Sequence, residues 1–131
     1  MLHARRHLGL GLTRLLLAGC GPSGPKTYEV SGTVTWNGEA VATGYINFYP
    51  LDGSLVPEGG PIKNGQYRFR ARPGKKRVQV LADREGPFDP VMQSPTRESY
   101  IPPLYSGDQS PLSAEVRADG DNQFPFHLPL P

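Results

Sequence analysis

The sequence predicts an all-β domain, a Greek-key β-sandwich of about seven strands, on three observations. Short runs alternate apolar and polar residues with a period of two. Turn dipeptides punctuate those runs, with Asn-Gly at 37–38 and again at 64–65 and Pro-Gly at 73–74. No segment carries the helical period. The 16 glycines and 15 prolines of the 131-residue chain fall between the alternating runs, which marks them as turns rather than as a disordered tract.

The elements follow in order. "TYEVSGTVTW" places Tyr28, Val30, Gly32, Val34 and Trp36 on one face of a half-buried strand. Asn37-Gly38 then turns the chain, both residues tolerating positive φ. "YINFYP" sets Ile46 and Phe48 against Tyr45, Asn47 and Tyr49, and Pro50 stops it. Residues 51–61, "LDGSLVPEGGP", read mostly as loop. After Asn64-Gly65 comes a strand with Tyr67 and Phe69 on one face, and after Pro73-Gly74 a strand burying Val78 and Val80. From 84 to 103 the periodicity vanishes among Pro87, Pro90, Pro95, Pro102 and Pro103, which predicts a long excursion with room for one helical turn. "PLSAEVRA" brings Leu112, Ala114 and Val116 into phase, "DGDNQ" turns, and "FPFHL" closes with Phe124, Phe126 and Leu128.

The first two dozen residues stand apart from this pattern. "MLHARRHLGLGLTRLLLAGC" carries a basic start, a leucine-rich segment and small residues before Cys20, the only cysteine, as a secretory signal does. A lone cysteine forms no internal disulfide, and its neighbours Gly19, Gly21, Pro22, Ser23 and Gly24 form no core segment. "LAGC", Leu17 to Cys20, resembles the lipobox of bacterial lipoproteins. That resemblance implies removal of 1–19, a diacylglyceryl group on the Cys20 thiol, and often a fatty acyl group on the new amino terminus. A thiolate suits this chemistry as the strongest side-chain nucleophile. Two or three acyl chains, at about 0.8 kcal/mol per buried methylene, anchor where one holds marginally. Residues 20–26 are then a short tether, and 27–131 the folded domain.

The implied location is the cell envelope, membrane-anchored and facing periplasm or surface. Gly21 stands where lipoproteins retained at an inner membrane carry aspartate, which favours the outer membrane by the same resemblance. Arg5, Arg6 and Arg14 lie in the leader, so the 14 basic residues fall to 11 against 12 acidic ones once it is removed. A near-neutral domain weakens the case for nucleic-acid binding, which wants a strongly basic face, and no nucleic-acid partner is expected. No run of about 18 apolar residues occurs that would span a bilayer as a helix.

The domain itself carries a second resemblance. "VSGTVTWNGEAVATGYINFYP" resembles the opening of carboxypeptidase regulatory-like, transthyretin-like domains. The order of "IPPLYSGDQSPLSAEV" and "DGDNQFPFHL" is similar to the end of small planctomycete lipoproteins that carry such a domain behind a lipobox. Ala40 stands where that pattern usually has proline. The resemblance implies a seven-stranded prealbumin-like sandwich in the envelope, serving as an accessory or interaction module. The enzyme branch of that fold, which hydrolyses 5-hydroxyisourate, uses several histidines and a terminal "YRGS". This chain ends "FHLPLP", with His127 as its one histidine after the leader, so a non-catalytic role is expected.

Candidate binding chemistry is sparse. Arg68, Arg70 and Arg72 share the outer face of one strand, and Lys75, Lys76 and Arg77 open the next. If those strands pair, the six cations form a patch for sulfated or acidic glycans or lipid headgroups; otherwise they are a solvated face that discourages edge pairing. Tyr45, Tyr49, Tyr100 and Tyr105 offer a stacking platform for sugars or simply peripheral packing. "DGDN", 119–122, reads as a turn rather than a calcium loop, because no distal glutamate follows at the required spacing. His127 faces away from Phe126 and Leu128, and a lone histidine makes neither a zinc site nor a nucleophile–base pair. Neither a metal nor a cofactor is expected. The expected partners are the membrane through Cys20, then envelope proteins or glycans.

Overall fold

A computed structural model describes residues 26–131. Among them the chain forms β1 (Tyr28–Trp36), β2 (Glu39–Ala40), β3 (Thr43–Pro50), β4 (Glu58–Lys63), β5 (Gln66–Ala71) and β6 (Gly74–Asp89). There follow β7 (Ser94–Ser99), α1 (Pro103–Ser106), β8 (Leu112–Val116) and β9 (Phe126–Leu128). The fold is all-β and sandwich-like, as the alternation predicts.

The strands run in the order β2-β1-β5-β4-β3-β6-β7, with β8 added to β6 and β9 to β1. β3, β4 and β5 form a meander, and β1 lies beside β5 rather than beside β3, which is the Greek-key arrangement. All pairings are antiparallel except β1 with β9. The sheet curls where β4 gives way to β5, which share a single paired position, Lys63 with Gln66. That curl lays β1, β5 and β9 over β3 and β6.

Both Asn-Gly pairs are two-residue hairpin turns. Asn37 and Gly38 have φ of 51° and 84°, and Asn64 and Gly65 have φ of 52° and 76°. Positive φ at both positions gives the turn whose twist matches the strands it joins.

The predicted faces form the core. Val30, Val34, Ile46, Phe48, Ile62, Val78 and Val80 are fully buried, with Tyr67, Leu112, Val116, Phe126 and Leu128 nearly so. Phe48 lies edge-on to Phe69 at 5.0 Å and to Phe124 at 6.0 Å, which joins the two layers. Gly32 is where β1 comes closest to the segment leading into β9. A side chain there would run into the Phe124 carbonyl and lie 2.8 Å from the Tyr67 hydroxyl, which itself donates to that carbonyl at 2.7 Å.

Three expectations change. The segment expected as loop contains the start of β4, in which Gly59 supplies space rather than a turn. A Cβ on Gly59 would strike Ile46 and Asn47, whereas one on Gly60 would only touch Phe69. The excursion from 84 to 103 is largely a β-hairpin, because β6 continues to Asp89 and β7 returns along it. Pro87 sits at the register shift between Glu85 and Phe88, and Pro95 lies on an edge strand, the two settings where a strand tolerates proline. The helical turn falls just beyond this segment, at Pro103–Ser106. These changes raise the count from about seven strands to nine.

Candidate functional site

Cys20, the signal segment 1–19 and most of the tether lie outside the described residues. The six cations fall within them, and their strands do not pair. β5 is flanked by β1 and β4, whereas the start of β6 is flanked by β3 and β8. Arg68 reaches only Glu29, at 3.9 Å and in the open, while Arg70 donates to the Thr27 carbonyl and, at 3.0 Å, to its hydroxyl. Lys75 is exposed and Arg77 half-buried. Arg72 and Lys76 turn to a shared carboxylate instead. The strand pairing on which a single patch of Arg68, Arg70, Arg72, Lys75, Lys76 and Arg77 depended is therefore absent, and Arg68, Arg70, Arg72 and Lys76 each have a local partner.

That carboxylate is Glu58, at the start of β4. Its register partner Phe48 and the Pro50 partner of Lys76 are both on β3, so β3 holds the acid and the amine on the same, inner face. Lys76 is 1% exposed, and its Nζ donates to Glu58 Oε1 at 3.0 Å. Arg72 donates to Oε2 through Nε at 2.6 Å and through its backbone N–H at 3.0 Å. Burial alone would raise the Glu58 pKa, but the Arg72 side chain, the Arg72 backbone and Lys76 outweigh it and hold the carboxyl below its ordinary 4.5. The hydrogen bond to Glu58 raises the Arg72 pKa in return.

Lys76 was legible in part, since it is in phase with Val78 and Val80. Basic type outweighed phase in the sequence reading. Glu58 carried no such signal, lying in a stretch rich in glycine and proline.

The guanidinium has a second duty. Arg72 Nη2 donates to the Val56 carbonyl at 2.6 Å and Nη1 to Ser54 Oγ at 3.4 Å, so it backs the loop 51–57 between β3 and β4. Ser54 N–H donates to Asp52 Oδ1 at 2.9 Å.

At the other end of the sandwich lies a cleft of about 390 Å³, bounded by Trp36, Glu39, Asp83, Arg84, Arg97 and Tyr100. The Arg84 guanidinium sits 5.2 Å from the Tyr100 ring centre, and Arg97 pairs with Asp83. Aromatic faces beside fixed charged donors and acceptors suit a sugar or an anion. The four tyrosines do not gather there. Tyr45 is exposed on β3, Tyr49 is half-buried, and Tyr105 is buried with its hydroxyl accepting from Leu130 N–H at 3.0 Å.

His127 is exposed as expected, its Nδ1 3.0 Å from Thr35 Oγ1. Asn122 closes the "DGDN" turn, accepting from Arg117 N–H and donating to Arg117 C=O, both at 2.9 Å.

Residues 24–99, more than half of the chain and all of β1 to β7, match the model of a family described as "Protein of unknown function (DUF1416)". No curated protein matches the chain. A solved structure, the crystal structure of a 9R-lipoxygenase from Cyanothece PCC8801, aligns with 81% of this chain and 17% of its own. At 13% identity and a TM-score of 0.39 that likeness carries no argument.

Proposed function

We propose that this chain, which belongs to the DUF1416 family, is a lipid-anchored cell-envelope protein, a non-catalytic interaction or structural module. Its folded part is read as a carboxypeptidase regulatory-like, transthyretin-like sandwich. The observation that carries the reading is "LAGC" ending at Cys20, seven residues before the all-β domain begins at Thr27. An acylated Cys20 would hold the domain at a membrane surface by two or three chains. The part offered to envelope partners would be the β6–β7 hairpin, whose exposed tip carries Phe88, Val91 and Met92. Radiolabelled palmitate should enter the protein in cells, and Cys20→Ala should abolish it. Incorporation that survives the substitution would sink the anchor.

A second reading, a carbohydrate- or anion-binding module, is favoured by the Trp36–Tyr100 cleft rather than by the cations of β5 and β6. A glycan array including sulfated polymers tests it. Binding lost on Trp36→Ala and Arg84→Ala together would support the cleft, and binding indifferent to both would remove it.

A further inference from the structure

We infer that the loop 51–57 is a membrane-docking loop that seats the sandwich on the lipid surface. The inference rests on the anchor reading and adds to it an orientation and a second contact.

Three large apolar side chains stand exposed in this loop: Leu55 at 91%, Val56 at 62% and Leu51 at 51%. They lie at the end where the described chain begins. Tyr28 pairs with Ala71, the next residue, Arg72, holds the loop from behind, and Leu51 N–H donates to the Lys75 carbonyl at 3.1 Å. Lys26 is six residue steps from Cys20, and six steps reach about 20 Å at full extension. An acyl-anchored Cys20 therefore keeps this end of the domain within about 20 Å of the surface, with the loop beside the entry point.

The loop suits that surface in two further ways. Three of the loop's backbone groups already have partners within the protein, as groups passing below the headgroups into hydrocarbon need. Val56 C=O has one in Arg72, Ser54 N–H in Asp52, and Val56 N–H in Ser54 Oγ at 3.4 Å. The Arg72 that supports the loop is itself fixed by half-buried Glu58, so the apolar side chains are presented by a braced segment. Both charge signs occur at this end, with Lys75 and Arg117 near Leu51 but Asp52 in the loop and Glu115 beside Arg117. The contact is therefore apolar insertion and requires no anionic lipid.

The other exposed apolar group, at the β6–β7 tip, points the opposite way. The sixteen residues of β6, up to about 50 Å if straight, carry it to the far end of the strand from Gly74 and away from the same surface.

The test supplies the anchor chemically, so that docking is read whether or not cells acylate Cys20. The full chain, with Trp36→Phe removing its only tryptophan, carries either Leu55→Trp or Met92→Trp. Its Cys20 thiol is coupled to a maleimide phospholipid in phosphatidylcholine vesicles, with or without brominated acyl chains. Bromine should reduce the Leu55→Trp emission at least twofold and leave the Met92→Trp emission unchanged. Equal quenching at both positions, none at either, or quenching at Met92→Trp alone overturns the docking loop. If Trp36→Phe prevents folding, the same pair is read in the unsubstituted background with the Trp36 signal subtracted. The palmitate experiment reports separately on the anchor, so the two ideas fail independently.

Discussion

At one end of the sandwich a buried ammonium is held by a half-buried carboxylate and a guanidinium, while at the other two strands run out as an exposed hairpin. The Glu58–Lys76–Arg72 group is fixed by β3, β4 and β6, and every charge in it has a partner at 3.0 Å or less. In the β6–β7 hairpin, β7 pairs only with β6, and all six of its residues are exposed. A two-stranded ribbon is marginal alone. The first region is therefore rigid because a buried charge tolerates no slack, and the second is tolerant because little is packed against it.

The largest effect that sharpens this contrast comes from breaking the buried group. Glu58→Ala leaves Lys76 charged inside the core, and removing one partner of a buried pair costs about 3–5 kcal/mol. Urea unfolding should show that loss directly. Lys76→Met should cost about 1 kcal/mol, since a flexible apolar chain fills the space and Glu58 keeps Arg72. On the hairpin, replacing Phe88, Val91 and Met92 together by serine should change stability by less than about 0.5 kcal/mol each, because all three are already exposed. A hairpin triple variant as damaging as Glu58→Ala would show that the arm is packed in solution.

Two glycines test the same contrast with one methyl group each. At Gly32 an added Cβ meets the backbone carbonyl of Phe124, which cannot move without separating β1 from the β9 segment. Gly32→Ala should cost about 2–3 kcal/mol. At Gly86 the obstacles are side chains rather than backbone: the exposed end of Glu98 and the Thr96 hydroxyl, which donates to the Pro87 carbonyl at 3.1 Å. Gly86→Ala should cost about 1 kcal/mol, the worth of the exposed Thr96 hydrogen bond it displaces. Comparable losses at both would mean that the hairpin is as constrained as the body.

The contrast also explains what the sequence made legible. Period-two alternation placed Val30, Val34, Ile46, Phe48, Val78 and Val80 inside, and two Asn-Gly pairs located hairpin turns, because both signals are local. β4 was hidden because Gly59 leaves room for Ile46 and Asn47, neighbours that only the tertiary fold supplies. β7 was hidden because an exposed edge needs no apolar face, so "SPTRES" carries no alternation. The pairing of Lys76 with Glu58 joins residues 18 apart across an intervening strand, and nothing in the spacing announces it. The exposed loop 51–57 was visible as a loop, but its place beside the chain entry depends on β5 lying next to β1.

The smallest effect is a titration. Glu58 is held below its ordinary 4.5 in the folded protein, so the folded state keeps the carboxylate charged at a pH where the unfolded chain has begun to protonate it. Its contribution is fully present above about pH 4.5, the ordinary value, and is lost as pH falls through the lower folded value. Glu58→Gln removes that proton exchange, so the stability gap between the native chain and this variant should be constant near neutral pH and narrow on acidification below 4.5. Urea unfolding at pH 7, 4 and 3 reads the gap. A gap that widens on acidification would mean that desolvation outweighs the Arg72 and Lys76 hydrogen bonds, reversing the sign at this end of the molecule. The hairpin triple variant is the control. It removes no titrating group, and its difference from the native chain should stay flat over the same range.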